Sequence, residues 1–132
     1  MDKIGILGII DDDEIYNYLL KRIVQKVDFI QETLFFENGQ IALDYLSEFK
    51  SEPEKLPDLI LLDINMPVLD GWQFMEEYIK LIPDLNKPIP VYISSSSNDE
   101  EDYKRALSIH QVSDYVLKPI NEEILQQLVS QI

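Results

Sequence analysis

Five short apolar runs, almost free of charge, alternate with longer stretches of helical period, and few folds satisfy that pattern. Ile4 to Ile10 (IGILGII) carries no charged residue and is interrupted by Gly5 and Gly8. Its length and β-branched content make it a strand covered on both faces rather than a buried helix. Leu59 to Leu62, Ile89 to Ile93 and Asp114 to Leu117 repeat the theme, and Thr33 to Phe36 supplies the second strand. In the first intervening stretch Ile15, Leu19, Ile23 and Val27, widened by Leu20 and Val24, predict a helix with one core-facing stripe. Asn38-Gly39 opens a second helix with Ile41, Ala42, Tyr45, Leu46 and Phe49 on its apolar side. A third follows the turn from Pro67 to Gly71, runs through Phe74, Met75, Tyr78, Ile79 and Ile82, and stops at Pro83. Residues 100–109 and 121–132 give the fourth and fifth helices. Strict alternation of this kind predicts an α/β fold, a doubly wound five-stranded parallel sheet with five helices on its two faces.

At 132 residues and 45% hydrophobic composition, one self-sufficient domain over 1–132 with no separate output domain is expected. Asp plus Glu number 25 against 11 Lys plus Arg, a net charge of −14 that repels phosphate backbones and anionic lipid, so binding to nucleic acid or membrane is disfavoured. With Cys 0 there is no disulfide, thiolate nucleophile or cysteine-ligated zinc, and with His 1 there is no imidazole cluster. No apolar run approaches the ~20 residues of a membrane span, and the first residues do not form a signal peptide; a cytoplasmic protein is expected.

In a doubly wound sheet ligands bind beyond the carboxyl ends of the strands, at the switch point where crossovers leave for opposite faces. Here the strand ends carry Asp11 and Asp12, then Asp63, then Ser94 and Ser95, then Lys118. With the first and third strands adjacent, Asp11, Asp12 and Asp63 converge on one crevice, and Ser95 and Lys118 line its other side. Carboxylates about 4 Å apart repel by about 4 kcal/mol at an effective dielectric of 20, so the cluster calls for a cation or raised pKa values. Oxygen-only donors suit a hard ion, and Mg²⁺ fits better than a larger calcium cage. Metal and lysine together can neutralise an incoming phosphoryl group, a serine hydroxyl can bond it, and a carboxylate can accept it as an acyl phosphate.

The blocks Ile10-Asp11-Asp12-Asp13-Glu14, Leu61-Leu62-Asp63-Ile64-Asn65-Met66-Pro67 with Asp70-Gly71, Ser95, and Tyr115-Val116-Leu117-Lys118-Pro119 resemble the receiver domain of two-component response regulators, over nearly the whole chain. The resemblance, closest in kind to a stand-alone chemotaxis regulator, implies a flavodoxin-like sheet of order 2-1-3-4-5. It implies that Asp63 takes a phosphoryl group from a phosphohistidine on a sensor histidine kinase or phosphotransfer protein. Mg²⁺ would be bound by Asp12, Asp63, the Asn65 carbonyl and, through water, Asp11. Lys118 would contact the phosphoryl group and Ser95, five residues after Pro90, would hydrogen-bond it. Movement at Ser95 would let Tyr115 swing from outside to inside, reshaping the face of the fourth helix, fifth strand and fifth helix for a downstream protein target. Pro119 would follow a cis bond. The longer connections at 50–57 and 83–90 resemble receivers that partner phytochrome-type kinases, in which a homodimer is a further expectation.

Other readings meet specific obstacles. A phosphatase with an aspartate nucleophile resembles a pattern with a second Asp two residues on, where this chain has Asn65, so the domain is expected to catalyse only its own phosphorylation and dephosphorylation. An inactive receiver-like adaptor would lack one of Asp11, Asp12, Asp63 or Lys118, and all four are present. No Walker lysine motif occurs, and Gly5 and Gly8 lie within a strand. Asp13 and Glu14 read as helix-capping acids, His110 as a surface residue and Trp72 as a packing residue. Gly8 stands where the family usually has a bulky aliphatic residue, which predicts thinner packing of the central strand, by about 1 kcal/mol.

Overall fold

The computed structural model describes residues 3–132. Strands β1 (Ile4–Ile10), β2 (Ile30–Phe36), β3 (Leu59–Leu62), β4 (Val91–Ser95) and β5 (Val112–Leu117) form one sheet in the order β2-β1-β3-β4-β5, and every pairing is parallel. The helices are α1 (Glu14–Lys26), α2 (Gly39–Glu48), α3 (Gly71–Leu81), α4 (Glu100–Ser108) and α5 (Glu122–Ser130). Short 3₁₀ turns at Pro53–Lys55 and Ile82–Asp84 complete the connections at the far rim.

Two apolar cores flank the sheet, as a parallel sheet covered on both faces requires. Ile10, Ile60, Leu62, Val91 and Ile93 pack with Ala42, Leu43 and Leu46 of α2, Phe74, Met75 and Tyr78 of α3, and Ala106 of α4. Leu7, Ile9, Leu59, Leu61 and Tyr92 pack on the other side with Leu20 and Val24 of α1 and Leu125, Leu128 and Val129 of α5. Alternate residues along each central strand thus serve opposite cores.

Several expected details are corrected. The buried stripe of α1 is centred one position further on: Leu20 and Val24 are 1% and 8% exposed, whereas Ile15 and Leu19 stand 74% and 52% exposed. Ile41 of α2 also faces solvent. The second strand begins at Ile30 rather than Thr33, because Ile30 pairs with Ile4 while Gln31 and Glu32 are exposed at a sheet edge. The fourth strand covers Val91–Ser95 rather than Ile89–Ile93, and the fifth starts at Val112, opposite Val91. The third helix ends at Leu81, one residue before Ile82 enters the 3₁₀ turn with Pro83. The last helix starts one residue later than expected, with Asn121 as its N-cap. Gly8 leaves no gap: a Cβ there would lie 3.0 Å from Cγ of Pro57, so the proline ring already occupies that space.

Candidate functional site

Strand register brings the acids together. Ile10 is level with Leu62, so Asp11 and Asp63 leave adjacent strands side by side; the Asp63 amide donates to the Ile10 carbonyl at 2.9 Å. Asp11 and Asp63 are buried and Asp12 is exposed. One carboxylate oxygen from each of the three lies within 4.8 Å of the others. Lys118, just past β5, places Nζ 2.5 Å from Asp11 Oδ2 and 3.5 Å from Asp63 Oδ1, with its side chain 11% exposed. Its own amide donates to the Ser95 carbonyl at 2.9 Å, which fixes it level with the end of β4.

One ammonium cannot satisfy two buried carboxylates. Burial, followed by the Asp11 charge, pushes Asp63 up to about 6, against the opposing pull of Lys118 and the Asn65 backbone N–H. Burial also raises Asp11, although Lys118 and the Asp13 N–H, 3.0 Å from its Oδ1, favour the charged form. For Lys118, burial acts downward, but the bond to Asp11 and the charges of Asp11 and Asp63 outweigh it and hold the ammonium protonated. The pocket is therefore short of positive charge. A cluster of carboxylate oxygens, those of Asp11 and Asp63 raised in pKa, fits a hard divalent ion, and among the described residues Asp11, Asp12 and Asp63 are the side chains grouped to hold it.

Ser95 is fully buried at the end of β4, and its hydroxyl oxygen accepts from the Ser97 amide at 3.1 Å. The Ser97 carbonyl accepts from the Tyr115 hydroxyl at 2.7 Å, and the Tyr115 ring meets Tyr103 of α4 edge-on at 5.7 Å. Tyr115, expected to move from outside to inside, is half-buried here with its hydroxyl already tied to the loop after β4. Asn65 is exposed two residues past Asp63, and the Lys118–Pro119 bond is cis. Between Asn65 and α3, Val68 has φ 69°, and the Leu69 amide donates to the Pro67 carbonyl at 2.7 Å, a strained γ-turn in a β-branched residue at the rim of the site.

The residues read as bystanders stay outside the pocket. Asp13 caps α1 by accepting from the amides of Ile15 and Tyr16, with Glu14 in the first turn. His110 is exposed. Trp72 is half-buried, packed on the α3-side core with the Arg105 guanidinium 4.3 Å from its ring.

Four site residues went unassigned in the sequence. Asn17 donates to the Asp11 carbonyl at 2.9 Å, and Tyr16 lies beneath Lys118. The repeat Tyr16, Leu20, Val24 marks the buried side of α1, so the correct stripe would have pointed to Tyr16. Ser94 is buried with no hydrogen bond, on the opposite side of β4 from Ser95. Gly71 donates to the Ile64 carbonyl at 2.8 Å, and a Cβ there would sit 2.6 Å from the Asp63 carbonyl oxygen. Backbone contact this close admits only glycine.

A family model described as the response regulator receiver domain matches residues 7–130. The probable methanogenesis regulatory protein FilR2 of Methanothrix harundinacea is 31% identical over 127 residues, covering 96% of this chain and 80% of that protein. A two-component response regulator from Cytophaga hutchinsonii superposes with a TM-score of 0.87 at 29% identity, over 98% of this chain and 96% of that one. The Mn²⁺-bound form of response regulator Rcp1 gives 0.72 at 29% identity, covering 96% and 90% of the two chains. The phosphorylated cyanobacterial phytochrome response regulator RcpA gives 0.73 at 30% identity, covering 98% and 90%. Sheet order, acidic pocket and sequence agree: this chain belongs to the receiver-domain family of two-component response regulators, the phosphoacceptor signalling domains that take a phosphoryl group on an aspartate.

Proposed function

We propose that Asp63 is the phosphoacceptor and that this chain relays a signal from a phosphohistidine of a sensor kinase or phosphotransfer protein to a protein target. In the transfer, an Asp63 carboxylate oxygen bonds to phosphorus as the bond from phosphorus to the histidine nitrogen breaks. The imidazole leaves with its electron pair and takes up a proton, and Asp63 becomes an acyl phosphate. Asp63 is ionised at neutral pH, as a nucleophile must be, because its raised value still lies near 6. Mg²⁺, held by Asp11, Asp12, Asp63 and the Asn65 carbonyl, would neutralise phosphoryl charge. Lys118 supplies a second positive charge from the opposite side, and the Ser95 hydroxyl gives up the Ser97 amide to bond a phosphoryl oxygen. Because Ser97 also carries the Tyr115 bond, that exchange is felt at β5 and α4.

Exposed Ile15, Tyr18, Leu19 and Val68 near the pocket offer apolar surface to the incoming donor. The domain catalyses its own phosphorylation and the hydrolysis that reverses it, with Asn65 where a phosphatase of this chemistry needs an acid. The Mn²⁺-bound Rcp1 and the phosphorylated RcpA support the same assignment by likeness.

The observation that carries this reading is the meeting of Asp63 with Asp11 and Lys118 in one buried pocket. Incubation with Mg²⁺ and acetyl phosphate is expected to add one phosphoryl group, seen by intact mass, and Asp63→Asn to abolish it. Labelling that persists in that variant overturns the assignment. Lys118→Ala is expected to keep part of the labelling while the downstream face no longer responds.

A further inference from the structure

Lys118 has three partners, and two of them change role during phosphorylation. Asp11 and Asp63 hold the ammonium in the resting pocket, but on the reading above one serves the cation and the other becomes an acyl phosphate. The third partner is neither charged nor consumed. Lys118 Nζ lies 4.5 Å from the centroid of the Tyr16 ring, inside the range of a cation–π contact, which extends to about 6 Å.

Tyr16 is built into the fold rather than draped over it. Its amide is held by the Asp13 cap at 3.0 Å, and its side chain packs against the core between α1, α5 and the sheet. The phenol hydroxyl is shielded from solvent and forms no hydrogen bond of good geometry, with the Ser94 hydroxyl and the Ile120 backbone as its polar neighbours. The engaged part of Tyr16 is the face of its ring, and Lys118 is the cation on it.

We propose that Tyr16 is a positioning residue for phosphoryl transfer: its ring face keeps the Lys118 ammonium directed at Asp63 when the neighbouring carboxylates are otherwise engaged. A long lysine stem with free rotors would otherwise swing toward water. The ring anchors it without competing for the phosphoryl group, since it carries no formal charge.

The test uses the full chain, with single-turnover phosphorylation by acetyl phosphate at saturating Mg²⁺. Tyr16→Leu is expected to slow the reaction about tenfold, equivalent to ~1.4 kcal/mol, and Tyr16→Phe to restore the rate. Progressively ring-fluorinated phenylalanines at position 16 keep the shape while draining the negative face, and are expected to give a graded fall. In a Lys118→Gln background the Leu substitution is expected to have no further effect. The NMR signals of the Lys118 ε-methylene are expected to show a ring-current shift in the Tyr and Phe proteins and to lose it in the Leu protein.

A flat fluorination series, or a Leu effect of equal size in the Lys118→Gln background, makes Tyr16 a packing residue only and overturns the proposal. Should Tyr16→Leu fail to fold, the fluorinated series decides. A native rate in Tyr16→Leu with no labelling of Asp63→Asn defeats the Tyr16 role alone, whereas labelling of Asp63→Asn defeats the phosphoacceptor reading beneath it.

Discussion

The sheet carries a lysine–aspartate pair at each rim, partly buried at one and deeper at the other, and the two behave in opposite ways. At the rim away from the pocket, Lys87 Nζ lies 2.6 Å from Asp58 Oδ1. Asp58 Oδ2 accepts the amides of Gly5 and Ile6 at 2.8 and 2.9 Å, and Lys87 also donates to the carbonyls of Pro53 and Leu56. Every polar atom in that cluster has a purpose. Burial acts to raise Asp58, but Lys87 and the two amides outweigh it, so its pKa falls below the ordinary carboxylate value. At the other rim one lysine faces two buried carboxylates, and both rise. The residue types are the same; the ratio of cations to carboxylates and the supply of backbone donors differ. A saturated pair staples β1 to the connections around it, and an undersupplied one is ready to bind a cation and react.

The largest contrast is expected from removing each acid. Asp58→Ala leaves Lys87 partly buried without its counter-ion and strips two amides of their acceptor, and is expected to cost about 3 kcal/mol in urea unfolding at pH 7. If that variant unfolds like the native chain, the far cluster is not a staple. Next, Mg²⁺ is expected to stabilise the native protein by about 2.7 kcal/mol at a hundred times its dissociation constant. The same increment is expected in Asp58→Ala and a much smaller one in Asp63→Asn, read from the same unfolding curves. Without divalent ions, Asp63→Asn is expected to stabilise the fold by roughly 1–2 kcal/mol, opposite in sign to the loss at Asp58.

The pH profile sharpens the contrast further. Asp63 binds its proton more tightly folded than unfolded, so its contribution falls as pH rises from about 4, near the ordinary value, to about 6. Asp58 is the reverse: its contribution is full above the ordinary carboxylate range and is lost as pH falls through its lowered value. Unfolding curves taken across this range are expected to show a declining arm in the native chain that shrinks in Asp63→Asn, where only the Asp11 contribution is left, and persists in full in Asp58→Ala.

What the sequence made legible depended on how many physical demands each residue answers. The central strands were readable because burial on both faces admits only apolar residues, as in Leu59 to Leu62. The acids and Lys118 were readable because they end those strands. The stripe of α1 was misread because Ile15 and Leu19 are apolar for a reason other than the core, and periodicity cannot distinguish a core side from an exposed apolar one. The early start of β2 was hidden by Gln31 and Glu32, polar residues that a sheet edge tolerates. The periodicity of α1 could place Tyr16 on the buried side, but its contact with Lys118 and the Asp58–Lys87 staple were invisible because each joins elements remote in the chain.

Gly71 also bears on any chain threaded onto this fold. The first turn of α3 abuts the peptide of Asp63 with no side chain between them. A displacement of the Asp63 main chain reaches that helix without slack. A related sequence with any bulkier residue at this position must route its backbone differently there, holding its third helix further from the peptide of the strand-end aspartate.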